Sequence, residues 1–238
     1  ELKAKLVIAA DGGQSQLRQL AQIGVSGWQY QQSCLVVTVN TECEQQDITW
    51  QQFNESGPRA FLPLPGKQGS LVWYDHHHKI KQLAALSKTA LAEQIQQAFP
   101  AKLGKITVEQ VASFPLARVH AKDYVKGRLV LVGDAAHSIN PLAGQGVNLG
   151  FADAMLLSEL LEKAFAQGKD LAEPELLQQY QNTRQRENAL MMSAMDLFYQ
   201  SFSSSLPPVR FLRQLGLAVA EKAGPLKHWV SRYAVGIS

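Results

Sequence analysis

Cysteine is scarce in this chain of 238 residues: only Cys34 and Cys43 are present. Both lie in strand-like sequence without a basic neighbour to stabilise a thiolate, so they read as buried small residues and not as a disulfide framework or a reactive pair. Long apolar runs are missing too. No window approaches the roughly 18 apolar residues that a spanning helix needs, so any membrane contact is expected to be peripheral. With no signal peptide ahead of the cysteines, the expected location is cytoplasmic. Repeats and low-complexity tracts are absent. A metal-ligand cluster is absent as well: the run His76-His77-His78 has only Asp75 beside it, and consecutive side chains of a strand point to opposite faces, so an exposed loop is expected there. Finally, the chain opens on "ELKAKLVIAADGG" with neither an initiator Met nor a Gly-x-Gly-x-x-Gly fingerprint, and it enters a buried-type strand almost at once. That is the texture of a fragment.

What is present is the composition of a globular protein, 46% hydrophobic and 18% charged, enough for one large or two modest cores. The net charge of +3 is uneven along the chain. After Pro207 the cations Arg210, Arg213, Lys222, Lys227 and Arg232 face only Glu221, so the basic character belongs to the tail. With Phe211, Leu212, Leu215, Leu217 and Val219 between them, they suit an amphipathic helix that lies on an anionic membrane, docks a partner or covers the core. They do not interleave with aromatics on a clear patch, which argues against nucleic acid.

Leu6 to Ala10 reads as a buried strand closed by Asp11-Gly12-Gly13, after which Ser15 caps a helix through Leu17, Leu20 and Ile23. From Trp28 to Asp75 the segments "SCLVVTVNTE", "DITWQQF", "RAFLPLP" and "SLVWYD" predict an antiparallel or mixed sheet, with a turn at "PGKQG". Trp50 and Trp73 are expected in its core. Leu83, Leu86, Leu91, Ile95 and Phe99 then predict one amphipathic helix, and "ITVEQVASFPL" a further strand. "RLVLV" reads as a buried parallel strand, followed by a glycine-rich corner and a helix carrying Met155, Leu156, Leu160, Leu161 and Phe165. The chain after Pro174 reads as helical. The expected organisation is α/β, with an α+β domain at 25–120 inserted between 1–24 and 121–190, and a helical region at 191–238.

The corner "GDAAHSINPLAGQGVNLGFADA", Gly133 to Ala154, carries the chemistry. It lies beyond the carboxyl end of a buried strand, where open α/β sheets bind ligands. Gly133 lets a bulky group approach the backbone, and the Asp134 carboxylate suits a polyol hydroxyl. Gly144-Gln145-Gly146 turns into a helix whose amides at Val147, Asn148 and Leu149 are expected free to favour negative charge, by roughly 0.3 to 2 kcal/mol. A plain turn with Asp134 as a cap is the simpler reading of Gly-Asp alone; the whole constellation is more specification than a surface turn needs.

This corner closely resembles the second FAD-binding motif of the flavin aromatic hydroxylases with the para-hydroxybenzoate hydroxylase fold. "LVIAADGGQSQLRQL" is similar to the Asp-Gly motif of the same family, and "AMDLFYQSFSSSLPPVRFLRQLGLAVAEKAG" resembles the C-terminal region of its ubiquinone-biosynthesis group. The resemblance implies a Rossmann-like FAD-binding domain interrupted by a substrate domain, FAD as cofactor and NAD(P)H as reductant. It implies ring hydroxylation of a polyprenylated benzoquinol or phenol through a flavin hydroperoxide, with other ubiquinone-biosynthesis proteins as candidate partners. Asp134 would hold the ribityl chain, and Gly144, Gln145, Gly146, Val147 and Asn148 would contact the pyrimidine edge. Pro141 would shape the ring pocket, and Asp11 and Gly12 would lie by the pyrophosphate. Arg18 either adds a cation there or is a solvated helix residue. No side chain is assigned as acid or base: His137 reads as a packed spacer, and Arg118 and His120 are candidates to line a cleft. The missing first motif implies a carboxy-terminal portion. A reductase or halogenase on the same fold, or a non-catalytic binding or assembly module, is the alternative.

Overall fold

The computed structural model describes residues 3–42, 48–54, 56–100, 103–139 and 145–203, with Pro207, Pro208 and Gly224. Cys43, Pro141, Gly144 and the cations of the tail lie outside the described residues. The strands are β1 (Val7–Ala9), β2 (Val25–Thr41), β3 (Trp50–Asn54), β4 (Gly57–Pro63), β5 (Gln68–His76), β6 (Ile106–Ala121), β7 (Val125–Lys126), β8 (Leu129–Leu131) and β9 (His137–Ser138). The helices are α1 (Gln16–Leu20), α2 (His77–Ala84), α3 (Lys88–Ala98), α4 (Gln145–Ala166) and α5 (Pro174–Ser203), and a 3-10 turn spans Gly133–Ala135. The chain divides into two compact units. One takes the sequence up to Trp28 and again from Ala117 to Tyr199; the other takes Gln29 to Leu116 and the start of the segment from Gln200.

In the first unit the two apolar runs become neighbours. β1 pairs in parallel with β8, Ala9 opposite Leu131, and β7 adds an antiparallel strand on the far side of β8. Their buried side chains pack with Tyr124, Leu157, Leu160, Leu177 and Tyr180 in one core. α1 is shorter than its apolar spacing predicts. It ends at Leu20, and Gln22 takes a positive φ of 55°, so Ile23 is buried beyond the helix and not on it. α5 is a single helix of 30 residues, so the boundary expected at 190 falls inside it.

The second unit follows the alternation of its sequence. Its strands run in the order β3-β4-β5-β2-β6, and the registered pairs β2 with β5, β3 with β4 and β4 with β5 are antiparallel. β9 pairs antiparallel with the end of β6 at Val119 and His120, residues of the first unit. Leu35 sits opposite Trp73, and Val37 opposite Leu71, which in turn faces Phe61. These rows form the buried face that α2 and α3 cover with Ile80, Leu83, Leu91 and Ile95. Trp73 lies in that core and Trp50 packs against it, stacked on Phe61 at 6.1 Å between centroids. The turn at Gly66 has a φ of +69°, as the "PGKQG" segment predicts.

Two expectations fail here for physical reasons. The single helix predicted over Leu83 to Phe99 is two helices, because the Ser87 hydroxyl accepts the Ala90 amide at 3.2 Å and starts α3 afresh. The apolar period continues across the break, which hides it from the sequence. The histidine run is not a loop either: His76 closes β5, and His77 and His78 open α2. All three are exposed, and His77 Nδ1 lies 2.7 Å from the Ser33 hydroxyl.

Candidate functional site

Parallel pairing of β1 and β8 brings their carboxyl ends to one edge of the sheet, and the Val132 amide donates to the Ala9 carbonyl at 3.0 Å there. Two turns therefore emerge side by side: Asp11 to Gly13 after β1, and Gly133 to Ala135 after β8. Arg18 bridges them. Its Nη1 donates to the Ala135 carbonyl at 2.7 Å and its Nη2 to the Gly13 carbonyl at 2.9 Å, and the residue is only 6% exposed. The solvated-helix reading of Arg18 is thus overturned; the guanidinium clamps the two turns. Asp11 is exposed, its carboxylate accepting the Leu17 amide at 3.2 Å while Ser15 caps α1 at the Arg18 amide. Chiefly through the Ser15 hydroxyl, the Asp11 carboxyl is held below its usual value. Gly12 has a φ of +85°, and a Cβ built on it meets nothing within 4 Å.

The second turn is shaped for close approach. Gly133 has a φ of +61°, a region L side chains rarely adopt, and a Cβ on Gly150 of α4 would lie 3.4 Å from the Gly133 Cα. The turn and the helix are therefore in backbone contact. The Asp134 carboxylate beside it is exposed and has no hydrogen bond among the described residues.

α4 begins at Gln145, earlier than the expected set of free amides requires. Its first-turn N–H groups belong to Gln145, Gly146 and Val147, while Leu149 is a turn further in and buried. Of the expected ring-contact residues, Gly146 is half-buried and Val147 and Asn148 are exposed at the amino end of the helix.

Beneath this surface lies a polar cluster in which the sequence reading picked out Gly133, His120 and His137 but not Asp153, Arg184, Asn188 or Tyr124. Asp153, in α4, is fully buried. Its Oδ2 accepts the Gly133 amide at 3.0 Å and pairs with His137 Nε2 at 2.6 Å; its Oδ1 accepts Arg184 Nε at 2.7 Å and Asn188 Nδ2 at 3.1 Å. Burial alone would raise the Asp153 carboxyl, but the bonds from His137, Arg184 and Asn188 outweigh it and hold the group below its usual value. Asn188 also donates to the Tyr124 hydroxyl at 3.1 Å, which lies 3.0 Å from His120 Nε2. Burial, then the nearby His137 and Arg118, lower the His120 pKa. His137 is a packed, hydrogen-bonded residue, stacked on Tyr124. The signal that could have found Asp153 is local: it is the one acid on the face of α4 that otherwise carries Leu149, Leu157, Leu160 and Ala164 into the interior.

Arg118 is half-buried, its guanidinium 4.6 Å above the Trp28 ring and its Nε 2.8 Å from an Asp196 carboxylate oxygen. A separate surface cavity, lined by Lys5, Arg128, Phe165 and Asp170 among others, contains none of the expected site residues. Lys5 and Arg128 precede β1 and β8, so it lies at the amino ends of those strands, away from the edge where such sheets bind ligands.

The family model described as "FAD binding domain" matches residues 1–194, a span that includes both turns. The chain belongs to that FAD binding domain family. It is 50% identical over 236 residues to 3-demethoxyubiquinol 3-hydroxylase of Escherichia coli (strain K12), which covers 99% of this chain and 60% of the relative. It is 35% identical over 268 residues to the mitochondrial ubiquinone biosynthesis monooxygenase COQ6 of Rattus norvegicus, covering 98% of this chain and 56% of that protein. The chain thus spans about 60% of the length of these relatives. Among solved structures, pqsL of Pseudomonas aeruginosa, described as a probable FAD-dependent monooxygenase, superposes with a TM-score of 0.69 at 24% identity over 84% of this chain and 57% of its own. The Diels-Alderase PyrE3 superposes with a TM-score of 0.71 at 21% identity over 98% of this chain and 50% of its own. At those identities the likeness is one of fold, and the fold is α/β with the inserted α+β unit expected from the sequence.

Proposed function

We propose that this chain is the part of an FAD-dependent aromatic-ring monooxygenase of ubiquinone biosynthesis that holds the riboflavin half of the cofactor. One observation carries the reading: the Gly133-Asp134 turn, open at its backbone and ending in an exposed carboxylate that has no partner among the described residues, stands against the amino end of α4. The residues present fit the group. Asp134 offers an acceptor to ribityl hydroxyls, and Gly133, at a φ that L side chains rarely adopt, leaves its backbone bare for a bulky ligand to approach. The first-turn amides of α4 and its dipole favour the negative charge that a reduced flavin carries along its pyrimidine edge. Asp11 and Gly12, clamped next to that turn by Arg18, are suited to the pyrophosphate side. Pro141 and Gly144 belong to the same proposed site.

When bound and reduced by NAD(P)H, FAD supplies the oxygen activation that hydroxylation of an electron-rich ring requires. The chain's own residues bind and orient, and no side chain is assigned as an acid or base. The substrate class, a polyprenylated quinol, follows the names of the relatives at 50% and 35% identity. No helix among the described residues is long and apolar enough to cross a membrane, which suits peripheral contact with a lipid-dissolved substrate. The test is the complete gene product assayed with a demethoxyubiquinol-type quinol. Oxygen-dependent NAD(P)H consumption that yields a hydroxylated ring supports the proposal; flavin reduction without hydroxylated product refutes it.

A further inference from the structure

We propose that Asp153 is the positioning residue of this site and acts through the main-chain amide of Gly133; the inference rests on the flavin reading above. Four polar groups reach one carboxylate from three elements: the Gly133 amide in the turn, His137 Nε2 in β9, and Arg184 and Asn188 in α5. Each oxygen meets two of them. Arg184 Nε and Asn188 Nδ2 donate to Oδ1 and the Gly133 amide to Oδ2, an arrangement that suits an ionised carboxylate, which accepts at both oxygens. An asparagine of the same size would turn an NH2 group against the Gly133 amide in one orientation of its side chain and against Arg184 and Asn188 in the other, so the cluster selects an acceptor at both positions and not shape alone.

The bond to Gly133 gives the cluster its functional reach. Gly133 immediately precedes Asp134, and its φ of +61° belongs to a turn with no side chain to wedge it in place. Asp153 lies about two helical turns into α4 from Gln145. A single buried carboxylate on α4 therefore fixes the distance between the Asp134 carboxylate and the amino end of the same helix, the two surfaces proposed to grip the ribityl chain and the ring edge. Gly133 and Gly150 pass close to one another at this point: a Cβ built on either would lie at ordinary van der Waals distance from the other's Cα, 3.8 and 3.4 Å. His137 is then a second anchor on Oδ2, which accounts for a histidine inside the motif without a catalytic role.

The test compares wild-type chain with Asp153→Asn, using Leu157→Ala as a core control on the same helix, by two readings: amide hydrogen exchange at Gly133 and the dissociation constant for FAD. Asp153→Asn is expected to speed exchange at Gly133 by about tenfold or more while Val130 and Leu131 in β8 stay protected, and to weaken FAD by about tenfold or more. Leu157→Ala should lower stability and leave both readings within about twofold. If Asp153→Asn does not fold, Asp153→Glu, which keeps a charge for Arg184, takes its place with the same directions. Unchanged Gly133 exchange, or FAD affinity that falls only as much as in Leu157→Ala, overturns the proposal. Should wild-type chain take up no FAD, the flavin reading falls, and Gly133 exchange still decides whether Asp153 fixes the turn.

Discussion

Replacing Arg18 by methionine removes the guanidinium while keeping an unbranched chain of similar length in a buried position. Two hydrogen bonds are lost, to Gly13 and Ala135, at 2.9 and 2.7 Å. Bonds from a charged donor contribute about 1.5 to 3 kcal/mol each, and the two share one group, so a combined loss of about 2 to 4 kcal/mol is expected. Methionine returns little of it, because the two carbonyls lose their donor in a site that is mostly shut to water. With a urea slope of about 1 to 3 kcal/mol per molar, the midpoint should fall by about 1 M or more. The same substitution releases the turns after β1 and β8 from each other, so FAD affinity should fall further than stability. Arg18→Lys, which reaches one carbonyl but not both, should fall between. The assay is urea unfolding followed by tryptophan fluorescence, with flavin titration on the same samples. A midpoint shift under about 0.2 M, or undiminished FAD affinity, would refute the clamp.

Three further outcomes follow from the geometry. Gly27→Ala should be severely destabilising, since a Cβ there would lie 1.9 Å from the Arg118 carbonyl oxygen; soluble yield and melting temperature check it, and a near wild-type melting temperature contradicts it. Cys34, buried and pushed up to about 12 by that burial, should resist thiol reagents at pH 8 until the protein unfolds, and fast labelling of native protein at Cys34 would argue otherwise. Because the folded Asp153 carboxyl is held below its unfolded value of about 3.9, its contribution is complete above that pH and is lost as pH falls through the lower folded value. Urea midpoints between pH 7 and 3 should therefore drop less steeply in Asp153→Asn than in wild type, and parallel acid limbs would contradict the assignment.

Much of this fold is written in local pattern. The runs at Leu6 and Leu129 predict a parallel pair because neither alternates, and the pair forms, but the burial expected of the first run fails: Val7 and Ile8 are exposed and only Ala9 of β1 is buried. The alternation from Trp28 to Asp75 predicts the antiparallel sheet. What stays hidden is what depends on partners far along the chain. Nothing near Arg18 says that its guanidinium reaches Ala135, 117 residues away, and solvent is the default for an arginine on a short helix. Asp153 is concealed in the same way, since its partners are Gly133, His137, Arg184 and Asn188, which only the folded chain assembles. The break between α2 and α3 is concealed by continuity: Leu83 and Leu91 keep the helical period through Ser87, and the capping bond that separates them leaves no trace in hydrophobicity.

The central claim, that the corner after β8 holds the riboflavin half of FAD, is tested most directly by titrating FAD into the purified chain and into Asp134→Ala and Gly146→Trp, following the visible flavin spectrum. The account predicts a perturbed flavin spectrum with saturable binding in the wild type and a large loss of affinity in both variants. Equal binding in all three, with both variants folded, would contradict it.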